Sequence, residues 1–150
     1  MLAIADNRGN IIAPFEVLPV NFHDIRLFEK SFENLLETVD DLNLDIAGAY
    51  LTLDSGFDSA RNKILIREAE MIPVIKPNIG ARKDQGKIYA ILDAFEPLKL
   101  IYKERVNIER CFAWEDTYRK MVIRYEKLQC TFMGFRYLAY SMINFRNIFN

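Results

Sequence analysis

The sequence predicts an α/β domain with at least one parallel strand pair, because strand-type and helix-type segments alternate through its middle. Residues 47–53 and 72–75 are short apolar runs, and each stops at turn or loop chemistry: Asp54-Ser55-Gly56 after the first, Lys76-Pro77 after the second. Between them, residues 59–70 carry Lys, Arg and Glu among apolar positions and read as an amphipathic helix. Ahead of these, residues 2–6 and 11–18 are apolar and flank Asn7-Arg8-Gly9-Asn10, a hairpin signature. Pro14 makes the second run an edge strand or a bulge. Asp24 is a candidate N-cap for a helix over 25–38, where Ile25, Leu27, Phe28, Phe32, Leu35 and Leu36 recur at helical spacing. A polar stretch over 40–45 leads into the first central strand, and Asp58 is the candidate cap of the helix after it. Residues 76–88 are polar, basic and glycine-containing, which predicts a mobile loop. Helical patterns return over 99–115 and 127–149. The final 20 residues hold a stripe of aromatics and Met that reads as core; with only Arg136 and Arg146 they make a poor membrane-surface helix.

At 150 residues the chain has the length of one domain, with 51% hydrophobic and 27% charged residues. No run of 18 uncharged apolar residues predicts a membrane span, and the N-terminus lacks the basic and small-residue features of a signal peptide. Two cysteines, Cys111 and Cys130, imply a reducing compartment, hence a cytoplasmic protein, and lack the spacing of metal ligands.

The net charge of −1 conceals a division. Residues 1–60 carry three basic and eleven acidic residues, residues 61–150 seventeen basic and ten acidic, so a basic side is available to a polyanion. Two differently solvated faces would show the same numbers.

Two places combine residue types that carry chemistry. Asp54 stands at the end of a buried strand before a glycine turn, where α/β sheets place their sites and where a carboxylate is held rigidly yet stays accessible. The simpler reading is that Asp54 closes the turn by bonding backbone N–H groups. Tyr102, Arg105 and Glu109 are spaced by three and four and share one helix face, while Ile101, Ile108, Phe112 and also Cys111 are available for the buried side. A phenol, a guanidinium and a carboxylate together suit a phosphate and a metal; alone, Arg105 and Glu109 would be an ordinary surface ion pair. Two-metal phosphoryl transfer requires carboxylates that converge from separate elements, so the two places gain weight together.

The run LTLDSGFDSARNKILIREAEMIPVIKPN (51–78), followed by YKERVNIERCFAWEDTYRKMVIRYEK (102–127), resembles the catalytic domain of DDE transposases of prokaryotic insertion sequences. Asp54, Gly56, Phe57 and Asp58 match the family's second acidic motif. Tyr102, Arg105, Glu109 and Phe112 match the third, and RYEK at 124–127 resembles the downstream segment. The resemblance implies a ribonuclease-H-like mixed sheet flanked by helices. It implies Asp54 and Glu109 as catalytic ligands of Mg²⁺ or Mn²⁺, and Tyr102 and Arg105 beside the DNA backbone. Basic residues of the loop (Lys76, Arg82, Lys83, Lys87) and of the 119–127 segment would add sequence-independent affinity for DNA.

Two departures stand out. Where some members place a Lys seven residues after the Glu, this chain has Asp116, with Arg119 and Lys120 nearby. The family's first catalytic Asp lies on a strand preceding the hairpin, whereas Asp6 lies within it. The chain therefore reads as a transposase domain that starts after its first strand, inactive alone. The implied partners are transposon-end and target DNA and a second copy or full-length transposase. The competing readings are a non-enzymatic remnant that binds only DNA or a full-length partner, and a nuclease of the same broad fold.

Overall fold

The computed structural model describes residues 3–12, 24–80, 84–118 and 127–149. Tyr50–Leu53 (β1) and Ile72–Ile75 (β2) pair in parallel, Tyr50 opposite Ile72 and Leu53 opposite Ile75. Parallel strands need a long crossover, and Ala60–Glu68 (α2) supplies it. The pleat sends Leu51, Leu53 and Ile75 to one face. There they meet Ile66 of α2 and Phe28, Phe32 and Leu35 of Asp24–Asp41 (α1). Phe28 stacks on Phe32 at 5.4 Å and meets Phe57 at 6.0 Å, so α1 is anchored to the turn that follows β1. Ile66 is wholly buried at the centre of this cluster. Ile66→Ala is expected to cost about 3 kcal/mol in urea unfolding.

The α/β class holds, in a mostly helical chain with one two-stranded parallel sheet. The described residues do not form the larger mixed sheet of a ribonuclease-H-like fold. The first central strand is shorter than expected, since Gly48 turns at φ 73° and Ala49 bonds back to Ile46. The cap of α2 is Ser59, whose hydroxyl accepts from the Asn62 N–H at 3.1 Å; Asp58 faces elsewhere. α1 runs past residue 38 to Asp41 and closes with Asn43 at φ 50°, Leu44 N–H reaching the Val39 carbonyl at 2.9 Å.

The hairpin turn is present. Ala5 and Ile11 form an antiparallel bridge, and Gly9 takes φ 84°. Residues 13–23 lie outside the described residues, and with them Pro14 and most of the second run. Two helices clasp this turn. Asn144 exchanges two 2.8 Å bonds with the backbone of Ile11, Asn107 donates to the Asn7 carbonyl, and Cys111 and Asn147 both donate to the Gly9 carbonyl.

The expected loop over 76–88 ends early. Asp84 caps a helix, Gln85–Phe95 (α3), accepting from the Lys87 N–H at 3.2 Å. The expected helix over 99–115 is broken into Lys99–Tyr102 (α4), a 3₁₀ turn Lys103–Arg105, and Val106–Glu115 (α5). Gln129–Phe149 (α6) completes the fold. Its stripe is only partly core. Phe132, Ala139, Tyr140 and Ile143 are buried, while Leu138, Met142, Phe145 and Phe149 are exposed. Among the described residues no helix is long and apolar enough to cross a membrane.

Candidate active site

Asp54 leaves the end of β1 and caps the 3₁₀ turn Ser55–Phe57. One oxygen, Oδ1, takes every bond the carboxylate makes: the Ser55 N–H at 3.0 Å, the Tyr102 hydroxyl at 3.3 Å and Arg105 Nη1 at 3.1 Å. The other oxygen, Oδ2, has no protein partner among the described residues, and the side chain is 53% exposed. Three donors on one oxygen fix the carboxylate's orientation and leave the second facing outward.

Tyr102 and Arg105 are brought together by the break in the helix. A 3₁₀ turn eclipses residues i and i+3, and Arg105 Nη1 donates to the Tyr102 hydroxyl at 2.7 Å. The guanidinium also lies 5.4 Å from the Tyr102 ring centre, and Phe95 packs edge-on against the same ring at 5.5 Å. Burial, above all, raises the Tyr102 phenol above its ordinary value. Burial also opposes the Arg105 charge, but Tyr102, Asp54 and Glu109 outweigh it and hold the guanidinium above its ordinary value. Arg105 therefore stays charged.

Glu109 sits one turn further along α5. Its Oε1 lies 4.0 Å from Arg105 Nη2, and its side chain is 65% exposed. The ordinary i,i+4 pair expected from the sequence is thus present but loose, and the tighter partner of Arg105 is Asp54. One guanidinium reaches both carboxylates, which puts them on the same side of the molecule. The structure brings Asp54, Tyr102, Arg105 and Glu109 together.

The basic residues are placed less closely. Lys76 follows β2 directly, with its N–H on the Leu53 carbonyl at 3.3 Å, so its backbone lies beside the Asp54 strand end. Lys87 is exposed on α3, 3.5 Å from Asp84. Arg82 and Lys83 lie outside the described residues, as do residues 119–126.

Asp58 is structural. Its carboxylate pairs with Lys63 of α2 and accepts from the Asn78 N–H at 2.8 Å, tying the helix to the exit of β2. Asp6 is also committed. Its Oδ1 accepts from the Arg8 and Asn10 N–H groups and its Oδ2 from the Asn10 side chain, all inside the hairpin turn. Among the described residues no third Asp, Glu, His or Cys completes a metal-binding group.

Sequence reasoning missed a buried ion cluster. Glu115, at the end of α5, bonds Arg136 Nη2 at 2.8 Å and accepts from the Tyr140 hydroxyl, joining α5 to α6. No local pattern marks it, because 21 residues separate Glu115 from Arg136. Burial, with Glu115 beside it, raises the Tyr140 phenol well above its ordinary value. The fold thus favours the neutral phenol. That contribution is complete below the unfolded value near pH 10 and is lost as pH rises through the folded value. Stability is expected to fall above about pH 10 in the wild type, and to fall less steeply in Tyr140→Phe, as read by urea unfolding.

Compared with known proteins, residues 51–146, a span that runs from β1 into α6 and contains Asp54, Tyr102, Arg105 and Glu109, match the transposase DDE domain. No curated protein and no solved structure matches the chain.

Proposed function

Since this chain belongs to the transposase DDE-domain family, we propose that Asp54 and Glu109 are the metal-binding carboxylates of a DNA-cleaving and strand-transferring site. The family consists of polynucleotidyl-transferase-type enzymes that act on DNA in transposition and in general use a divalent metal. The observation that carries the assignment is the pairing of both carboxylates with one guanidinium, from elements 55 residues apart. A cation already lies between them, so the donor set suits a positive charge.

The residues present fit one Mg²⁺ or Mn²⁺ in part. Asp54 Oδ2 and the exposed Glu109 carboxylate are hard oxygen donors that would hold such an ion. An ion held there would supply Lewis-acid polarisation of a phosphodiester and activation of water. Ser55 N–H and Tyr102 keep Asp54 from rotating. Arg105, a planar fork of N–H donors, grips the scissile phosphate. Two-metal chemistry needs a further carboxylate. Asp6 does not supply it without breaking three hydrogen bonds in its turn, and this supports the reading that residues 1–150 alone are inactive.

The reading of a DNA- or partner-binding remnant draws on the same fact and keeps the same basic surface. Its signature is binding that survives loss of the carboxylates. DNA affinity is proposed to come from Lys76, Arg82, Lys83 and Lys87, with a duplex bound without sequence preference. Neutralising all four is expected to weaken binding and to reduce the slope of log affinity against log salt by up to about 3.6, near 0.9 for each phosphate no longer neutralised. Fluorescence anisotropy on a short duplex checks this, and an unchanged slope contradicts it.

A further inference from the structure

We propose that Arg105 is the resident counter-cation of the Asp54–Glu109 pair, so that a divalent ion enters by displacing it and Arg105 sets the metal affinity of the site. The inference rests on the reading of both carboxylates as metal ligands. Arg105 Nη1 occupies Asp54 Oδ1 at 3.1 Å while Nη2 approaches Glu109 at 4.0 Å. The guanidinium neutralises the two carboxylates in part, and any incoming dication meets its positive charge at close range. Asp54 Oδ2, without a protein partner among the described residues, would offer an ion its first oxygen while Arg105 is still in place. With both carboxylates on an ion, Arg105 would lose its attraction to them.

Where the guanidinium goes is also built in. Its 2.7 Å bond to the Tyr102 hydroxyl and its place over the Tyr102 ring do not depend on Asp54. Released from the carboxylate, Arg105 remains at the site with free donors, and an anionic phosphate is the complementary acceptor. Ion entry and phosphate capture are then coupled through one side chain. By linkage the coupling is reciprocal, so DNA tightens the ion and the ion tightens DNA.

The test is Mn²⁺ titration followed by the electron paramagnetic resonance signal of the free ion, which needs no catalysis. It uses the 150-residue chain as wild type, Arg105→Gln, Arg105→Lys and the double variant Asp54→Asn/Glu109→Gln. Removing the charge in Arg105→Gln is expected to tighten Mn²⁺ about tenfold, the size of one unit charge acting on a dication under near-aqueous screening. Arg105→Lys keeps the charge and is expected to stay within about threefold of wild type. Arg105→Met, which keeps an unbranched stem against the Tyr102 ring and removes the charge, is expected to shift affinity the same way. It serves if circular dichroism shows Arg105→Gln unfolded. Equal or weaker binding in Arg105→Gln and Arg105→Met, with wild type still above the double variant, makes Arg105 a support for Asp54 and overturns this inference alone. Binding no stronger than the double variant in every chain overturns the metal-ligand reading as well.

Discussion

Glu115→Ala is expected to cost about 3–5 kcal/mol, because it removes the Glu115 carboxylate from a buried ion pair with Arg136 and from the Tyr140 hydroxyl. Glu115 and Arg136 side chains are 7% and 12% exposed, and Tyr140, which donates to the same carboxylate, is 3% exposed. The loss falls on the joint between α5 and α6. The hairpin turn depends on the same two helices, since Asn107 and Cys111 come from α5 and Asn144 and Asn147 from α6. Urea unfolding followed by the fluorescence of Trp114, one residue before Glu115, is therefore expected to show an early transition in the variant. The cluster around Phe28, Phe32 and Ile66 shares no residue with this joint. A change below about 1 kcal/mol, the range of exposed pairs, would mean that the ion pair is not buried as described.

The second large effect concerns catalysis. Residues 1–150 alone are expected to show no strand cleavage or strand transfer above background with Mg²⁺ or Mn²⁺, because the two carboxylates gathered among the described residues hold one cation and leave a second unsupported. Supplying a strand with one further Asp beside β1, fused upstream of the hairpin, is expected to restore activity. In that restored protein Glu109→Gln is expected to lower the rate by more than the roughly 10–100-fold typical of a supporting partner. Cleavage by the unaided chain, abolished by Glu109→Gln, would show that a third ligand exists among its residues and would remove the inactivity proposal.

The central strands were legible because each is a short apolar run closed by its own turn residues. Ile72–Ile75 needed no tertiary information. Asp54 and the Tyr102, Arg105 and Glu109 spacing were legible for a related reason, since local geometry alone puts them at a strand end and on one helical face. Asp58 was not. Its carboxylate had a cap to make locally and a better pair of partners, Lys63 and Asn78, that only the folded chain supplies. Gln85–Phe95 was hidden by Gly86 in its first turn and by the continuous apolar run of residues 88–92, which carries no helical period. The bond of Arg105 to Asp54 crosses 51 residues, so the sequence showed the weaker Glu109 pair and not the stronger one. Glu115 illustrates the general limit. A buried ion cluster is a property of how two helices meet, and neither helix carries a sign of it.

The shared cation site of Asp54 and Glu109 is tested most directly by placing a reactive ion in it. Fe²⁺ substituted for Mg²⁺, with ascorbate and peroxide, cuts the backbone close to where it is bound, and mass spectrometry maps the cuts. The account predicts cuts at both segments together, near residues 53–56 and 105–110, and the loss of both sets in Asp54→Asn and in Glu109→Gln alike. Cuts confined to one segment, or cuts that persist in either variant, would contradict it.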